Sequence, residues 1–500
     1  MIKKIIHLFR LFWLGLFFLV LSCGQSGSSS EVDFSFQEGV FSPRSQYANQ
    51  CGLTSSSDTP YLAESHWIRS MSMDLYLWYN EIVDVNPVNY ASSSTAVLDY
   101  FDLMKTFAVT DSGNSRDQYH WSIDTVEWEA YSQTGVSAGY GARWHVKQST
   151  PPRDIVVSYT QPDSPATDSV VNLARGAQVI SVDGVAVEDG DSAILNDGLW
   201  PNDIGEAHTF VIQDLGSTVT RSVTMTSSEV TIDPVQHNQI LNSSVGYLHF
   251  TNHIAPSEAE LVSAIADFSA AGVTDLILDL RYNGGGYLAI ASQVAYMVAG
   301  QSNVTNKIFQ ELVFNDKYLN TNPVTGSALV PTPFYNTTIG LSLAEGQPLP
   351  ELNLNRVFVL TGSRTCSASE SLINGLRGIG IEVILIGDTT CGKPYGYYAM
   401  SNCGTTYFTI QFKGVNEVGY GDYSDGLVET CAVADDFDHA LGDANESLLA
   451  AALHYIDTGS CPSLSSAVMA NKKLFMDNDY TIDALLEPER YPGMIMTTLK

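Results

Sequence analysis

The spacing of apolar positions changes along the chain, and each change predicts a different kind of element. In Trp67–Tyr79, the residues Trp67, Met71, Leu75 and Trp78 recur every three or four positions, and Val97–Phe107 repeats the pattern. That period predicts two helices within 60–107, with their aromatic residues packed between them. From 133 to 228 the runs become short and β-like: Ile155–Tyr159, Ala177–Val182, Thr209–Gln213 and Ser222–Thr226, separated by Gly, Asp and Pro. From 244 onward, buried apolar runs alternate with helical stripes. Ser257-Glu258-Ala259-Glu260 reads as the capping-box start of a helix ending at Gly272. Val273–Leu280 reads as a buried strand and Leu288–Val298 as a helix. Val357–Leu360 and Val383–Ile386 read as strands with a helix between them. A last helix is drawn over Glu446–Ile456, capped by Asn445, with Leu449, Leu453 and Ile456 on one face. Residues 461–500 form a tail with no readable role.

The N-terminus looks like a targeting signal. Lys3, Lys4 and Arg10 precede Leu11–Leu21, an apolar run too short to span a bilayer comfortably. The run ends in Val20-Leu21-Ser22-Cys23-Gly24, which resembles the lipobox of bacterial lipoproteins. That resemblance implies lipidation at Cys23, export, and anchoring in a membrane; Gly24 rather than Asp fits the outer membrane. A plain secretory signal is the alternative. The resulting division is a signal peptide over 1–22, a loose tether over 23–58 and a helical domain over 59–132. A β-rich domain over 133–229, an α/β core over 230–460 and the tail over 461–500 complete it.

An apolar share of 44% allows a sizeable core. Lys and Arg total 24 against 55 Asp and Glu, a net charge of −31. Such a chain should repel nucleic acid and anionic surfaces. Of seven cysteines, setting Cys23 aside leaves an even number, which in an exported chain suggests disulfides. Cys403 and Cys431 flank the strand-rich region 405–428 and are expected to pair. Cys366 and Cys391 could bridge if their neighbours meet in space. A cysteine nucleophile at Cys366 has no matching histidine nearby.

Three segments carry chemistry. Ser367-Ala368-Ser369-Glu370 follows a strand-like run and opens a helix. Its serine fits a helix cap equally well. A serine at a helix start also stands where unpaired N–H groups favour an oxyanion, with Ala368 N–H as a natural donor. Lys393 lies in the Gly/aromatic loop Cys391-Gly392-Lys393-Pro394-Tyr395-Gly396-Tyr397. Lysine acts as a base only when neutral, so its pKa would have to fall from about 10.4 towards ~7–8. Burial supplies such shifts; a solvated surface lysine is the plain alternative. Asp279-Leu280-Arg281-Tyr282-Asn283-Gly284-Gly285-Gly286 follows a buried strand and could offer a second oxyanion donor. Its spacing is neither G-x-G-x-x-G nor a Walker loop.

In this order, these three segments resemble the carboxy-terminal processing (tail-specific) proteases. Ser164-Pro165-Ala166 and Leu173–Gly184 upstream resemble a PDZ domain. The resemblance covers roughly 133–457. It implies a multi-domain protein with a helical N-terminal segment, a PDZ-like β-rich domain and an α/β core of the crotonase/ClpP type. It implies Ser367 as nucleophile, Lys393 as general base, and Ala368 and Gly285 as oxyanion donors, with Gly284 as the alternative. Gly139, Tyr140 and Gly141 would bind the terminal carboxylate of a polypeptide tail. No cofactor or metal is implied, and the ten histidines show no H-E-x-x-H pairing. Two positions depart from the family pattern: Tyr397 stands where a lysine-orienting Gln is usual, and Pro394 where Gly is usual. The Tyr395 or Tyr397 hydroxyl could orient the base instead. An inactive tail-binding surface protein and an esterase are the competing expectations.

Overall fold

The computed structural model describes residues 32–52, 57–110, 112–201 and 203–463, and the backbone of 493–495. Cys23, the signal segment and most of the tail lie outside the described residues. Among the described residues, no helix is long and apolar enough to cross a membrane.

The centre is a six-stranded sheet in the order Val235–Leu241, Val245–Phe250, Asp275–Asp279, Arg356–Thr361, Glu382–Gly387 and Cys431–Ala432. Only the first pair is antiparallel. Leu276, Leu278, Val357, Val359, Val383 and Leu385 face the helices Ser257–Ala271, Leu288–Ala299 and Ala368–Gly378. Tyr247, Ile277, Phe358, Leu360, Ile384 and Ile386 face the helix Ser447–Thr458. Because helices cover both faces, the strands read as unbroken apolar runs. Ser367 and the glycine segment both follow the C-terminal ends of central strands, where an open α/β sheet leaves a crevice.

A second sheet lies beside the first. Its order is Gly285–Tyr287, Gly493–Ile495, Tyr395–Tyr397, Phe412–Val415, Ile308–Phe314 and Thr332–Pro333. The β-rich unit is a separate sheet, running Ala142–Gln148, Asp154–Thr160, Gln178–Val182, Ala207–Gln213, Thr220–Thr226. The helix Ser192–Leu199 closes it, and Ile155, Val157, Val179, Phe210 and Ile212 fill its own core. The protein is thus multi-domain and mixed α/β. Arg175 docks the β-rich unit on the core, bonding Asp435 at 2.8 Å and the Tyr282 hydroxyl at 2.7 Å.

Several expectations need correction. The first helix is Leu62–Leu75, not Trp67–Tyr79. Tyr76 turns extended and Leu77 N–H bonds Ile410 C=O at 2.8 Å, which takes the chain off the helix before Trp78. The second runs Ser94–Leu103, because the Ser93 hydroxyl caps it by accepting from Ala96 N–H. Ser257 is inside its helix rather than capping it; its hydroxyl donates to Asn252 C=O. Glu446, not Asn445, caps the last helix, its carboxylate accepting from Leu449 N–H at 3.0 Å.

Residues 32–52, expected to be loose, are held: Tyr47 is buried and Cys51 is bonded to Cys403. Cys403 therefore does not pair with Cys431, which bonds Cys461. The two cysteines border the same stretch of sequence but different elements. Thr405–Phe408, after Cys403, pairs with Trp121–Asp124 beside the N-terminal helices. Cys431–Ala432 is the far edge of the main sheet.

Candidate active site

Ser367 ends the turn between the strand Arg356–Thr361 and the helix Ala368–Gly378. It is fully buried and adopts φ 61°, ψ −112°. Such backbone is sparsely populated for a residue with a Cβ and costs about 1–3 kcal/mol, a cost that tends to be tolerated at functional turns. Its hydroxyl has no hydrogen-bond partner among the described residues. Its N–H donates to Glu370 Oε2 at 2.9 Å, so Glu370 supplies half of a capping box.

The same carboxylate holds the lysine loop. Glu370 Oε2 accepts from Lys393 N–H at 2.8 Å, and Oε1 accepts from Gly392 N–H at 2.8 Å and the Thr390 hydroxyl at 2.5 Å. Burial pushes the Glu370 carboxyl above its ordinary pKa, against the pull of these donors. A disulfide, Cys366–Cys391, ties the two loops with Cα atoms 5.2 Å apart. The expected bridge is formed, and Cys366 is therefore not a free nucleophile. Gly392 has φ +86°, and a Cβ there would fall 2.3 Å from Ser424 C=O, so the turn requires glycine.

Lys393 is wholly buried. Its Nζ lies 4.5 Å from the centre of the Tyr119 ring and 4.7 Å from that of Tyr397. Tyr397 thus meets the lysine through its ring face, while its hydroxyl accepts from Trp121 Nε1 at 3.0 Å. The Tyr395 hydroxyl lies 3.4 Å from Ser424 Oγ. Pro394 C=O accepts from Gly414 N–H, which fixes the loop on the second sheet.

Gly285 stands against the serine. With φ +102°, a Cβ on it would lie 2.9 Å from Ser367 Cβ and from Ala368 N. Its N–H donates to Asn283 Oδ1 at 2.9 Å. Asn283 is a hub the sequence did not single out. Its Oδ1 also takes His253 Nδ1 at 3.0 Å, and its C=O accepts from Cys366 N–H at 3.0 Å. Below it, Arg281 is buried among Asp279, Asp435 and Glu446 at 2.7–2.9 Å. Those anions hold the Arg281 guanidinium firmly protonated against its burial.

Gly139, Tyr140 and Gly141 line a cleft of about 160 Å³ between the strand Ala142–Gln148 and the end of the helix Ser192–Leu199. Ala142–Gln148 is an edge strand. The cleft's other wall includes Asn252, next to His253, whose backbone pairs with Gly285–Tyr287. Neither Ser367 nor Lys393 lines this cleft. Among the described residues, the His, Cys, Asp and Glu groups close enough to hold a metal are Cys366, Glu370 and Cys391, and those two sulfurs are bonded to each other.

Residues 244–400 match Peptidase family S41. The matched segment contains Ser367, Lys393 and the glycine strand. The carboxyl-terminal-processing protease of Picosynechococcus sp. is 24% identical over 267 residues, 52% of this chain and 56% of that protein. The chloroplastic C-terminal processing peptidase of Tetradesmus obliquus is 25% identical over 253 residues, 48% of each. The chain thus spans about half the length of these curated relatives. A crystal structure from Bacteroides fragilis NCTC 9343, assigned to the S41 proteases, covers 79% of this chain and 97% of its own. At 23% identity and a TM-score of 0.58, it supports the fold alone. Residues 244–400 are thus similar to the S41 peptidases.

Proposed function

We propose that the protein is an exported, membrane-anchored serine endopeptidase that cuts polypeptides with a Ser367–Lys393 dyad. The observation that carries this reading is that one buried carboxylate, Glu370, holds both the strained Ser367 turn and the Lys393 loop. To act as base, Lys393 must stand as the neutral amine when Ser367 attacks. Lys393 Nζ takes the proton from Ser367 Oγ as that oxygen attacks the substrate carbonyl carbon. The oxyanion forms at the helix start, where Ala368 N–H donates. The C–N bond breaks, the amine leaves with the proton from Lys393, and water hydrolyses the acyl-enzyme with the same lysine as base. Because Gly285 N–H is engaged by Asn283, Gly284 takes the second donor role. No cofactor or metal enters these steps.

In this reading the β-rich unit is a PDZ-like module. Its edge strand and the Gly139–Gly141 loop bind the free C-terminal tail of a polypeptide by strand addition. Cys23 carries the lipid that anchors the chain at the outer membrane. Nucleic acid is not a partner of so acidic a chain.

The test uses the chain lacking residues 1–23 with an unfolded protein ending in an apolar tail. Fragments from the parent, and none from Ser367→Ala or Lys393→Ala, support the dyad. A second reading, tail capture without cleavage, draws on the Ser367 hydroxyl, which has no hydrogen-bond partner among the described residues. It predicts intact substrate throughout and tail binding unaffected by Ser367→Ala.

A further inference from the structure

The strand Gly493–Ile495 lies between Gly285–Tyr287 and Tyr395–Tyr397 and runs parallel to both. Gly493 stands opposite Gly285, and Met494 opposite both Gly286 and Gly396. These flanking strands are the two that carry the site. Gly285 touches Ser367, and Tyr395 follows Lys393 by two positions. The helix that begins beside Ser367, Ala368–Gly378, also packs against Gly493–Ile495.

The hydrogen-bonding directions of both flanks fit an inserted strand. Gly285 C=O accepts from His253 N–H at 3.0 Å, and Tyr287 N–H donates to His253 C=O at 2.7 Å. Peptide groups alternate along a strand, so those of Gly286 face Gly493–Ile495. On the other flank, Pro394 and Gly396 direct their carbonyls to Gly414 N–H and Gln411 N–H, at 2.9 Å each. The peptide groups of Tyr395 and Tyr397 therefore face the inserted strand. Both flanking strands are buried along their whole length. With the strand in place, these backbone groups have partners within the sheet rather than in solvent.

We propose that Gly493–Ile495 is an intramolecular ligand of the peptide cleft, a substrate-like strand that competes with external polypeptides for the slot beside Ser367. This rests on the peptidase reading above and adds the occupant and the regulation of that site. Pairing of this kind is made by the backbone, so the slot accepts an extended chain with little regard to side chains. An occupant on the same chain acts at an effective concentration that reaches the order of mM, so even a weakly held strand competes. An external chain would have to displace it before it could reach the serine.

The test places Met494→Pro in the full mature chain, because proline lacks the N–H and is excluded from sheet interiors. In a Ser367→Ala background, where catalysis plays no part, hydrogen exchange is followed at Gly286 and Tyr397. Their protection should fall at least about tenfold when Met494→Pro is added, as expected when a local strand pairing opens. In the catalytically intact chain, Met494→Pro should lower KM for an unfolded substrate about tenfold with kcat little changed, the effect of removing a tethered competitor. A synthetic peptide of residues 489–499, added to that variant, should raise KM again. Unchanged exchange at Gly286 and Tyr397 overturns the inference whatever the activity. Lowered protection with an unchanged KM overturns the competition. Lowered protection with no cleavage by any form supports the occupied cleft and overturns the peptidase reading instead.

Discussion

Lys393 N–H donates to Glu370 Oε2 at 2.8 Å, and the same oxygen takes Ser367 N–H at 2.9 Å. One side chain therefore sets the distance between two loops that are remote in sequence. Glu370→Gln keeps the shape but turns an acceptor into a donor facing donors. A buried group left unsatisfied costs about 1–3 kcal/mol, so the denaturation midpoint should drop measurably. Misplacement of the dyad should lower kcat roughly 100-fold with a smaller change in KM. A variant with normal kcat would show that Glu370 only caps its helix.

The Cys366–Cys391 bridge makes a second link between the same loops. With a sequence separation of 25 residues, the loop it closes is worth roughly 3 kcal/mol by chain entropy. The double variant Cys366→Ala/Cys391→Ala should lose about that much stability and most of its peptidase activity. Equilibrium unfolding and peptide hydrolysis under identical buffer would check both. Full activity in the double variant would mean that Glu370 suffices alone.

The sequence made the central sheet legible because its strands are covered on both faces and read as apolar runs. It also made the turns that carry Ser367 and Lys393 legible, because each follows such a run. The second sheet was not legible. Gly285–Tyr287 and Tyr395–Tyr397 are three residues each, too short for any period to register. The role of Glu370 was half visible: the capping box was readable, but the long-range bonds to Gly392 and Lys393 leave no local trace. Nothing local to Cys403 reports its partner, because Cys51 lies 352 positions away. The link between Asn283 and His253 leaves no local trace, because it joins segments thirty positions apart.

Gly285→Ala should abolish activity. The added methyl would fall 2.9 Å from Ser367 Cβ and from Ala368 N, at a φ of +102°. Neither atom belongs to a flexible side-chain end, so the serine turn itself must shift. A displacement on the order of 1 Å can cost about 100-fold in rate. Single-turnover assays beside a thermal melt would separate lost geometry from lost fold; retained activity would mean that the strand yields and the turn does not.

Arg281 carries three carboxylates, Asp279, Asp435 and Glu446. Arg281→Met would leave them buried without their shared cation, at a cost of about 3–5 kcal/mol. Arg175→Met should be milder. It removes the link from the β-rich unit to Asp435 and Tyr282 but leaves Arg281 in place. Calorimetry should then resolve the β-rich unit melting before the core. One unchanged, cooperative transition in Arg175→Met would show that apolar contacts dock the unit.

The buried histidines should make stability fall on mild acidification, against the opposite contribution of Glu260, whose carboxyl burial pushes up to about 7. Burial depresses His120 and His249 to about 4 and His253 to about 3. Each is neutral in the folded chain and titrates near 6.5 once unfolded. A depressed folded pKa contributes stability that is complete above about 6.5 and lost as pH falls towards the folded value. Each histidine adds at most about 1.4 kcal/mol per pH unit to that slope. His253 matters most for the site, because its ring holds Asn283 and its backbone brackets Gly285 and Tyr287. Urea unfolding of Ser367→Ala at pH 7, 6 and 5 should show a midpoint that declines throughout. In His253→Gln the decline should be shallower by about one histidine's share. A decline in His253→Gln as steep as in the parent would mean that the His253 ring takes up its proton without unfolding the chain.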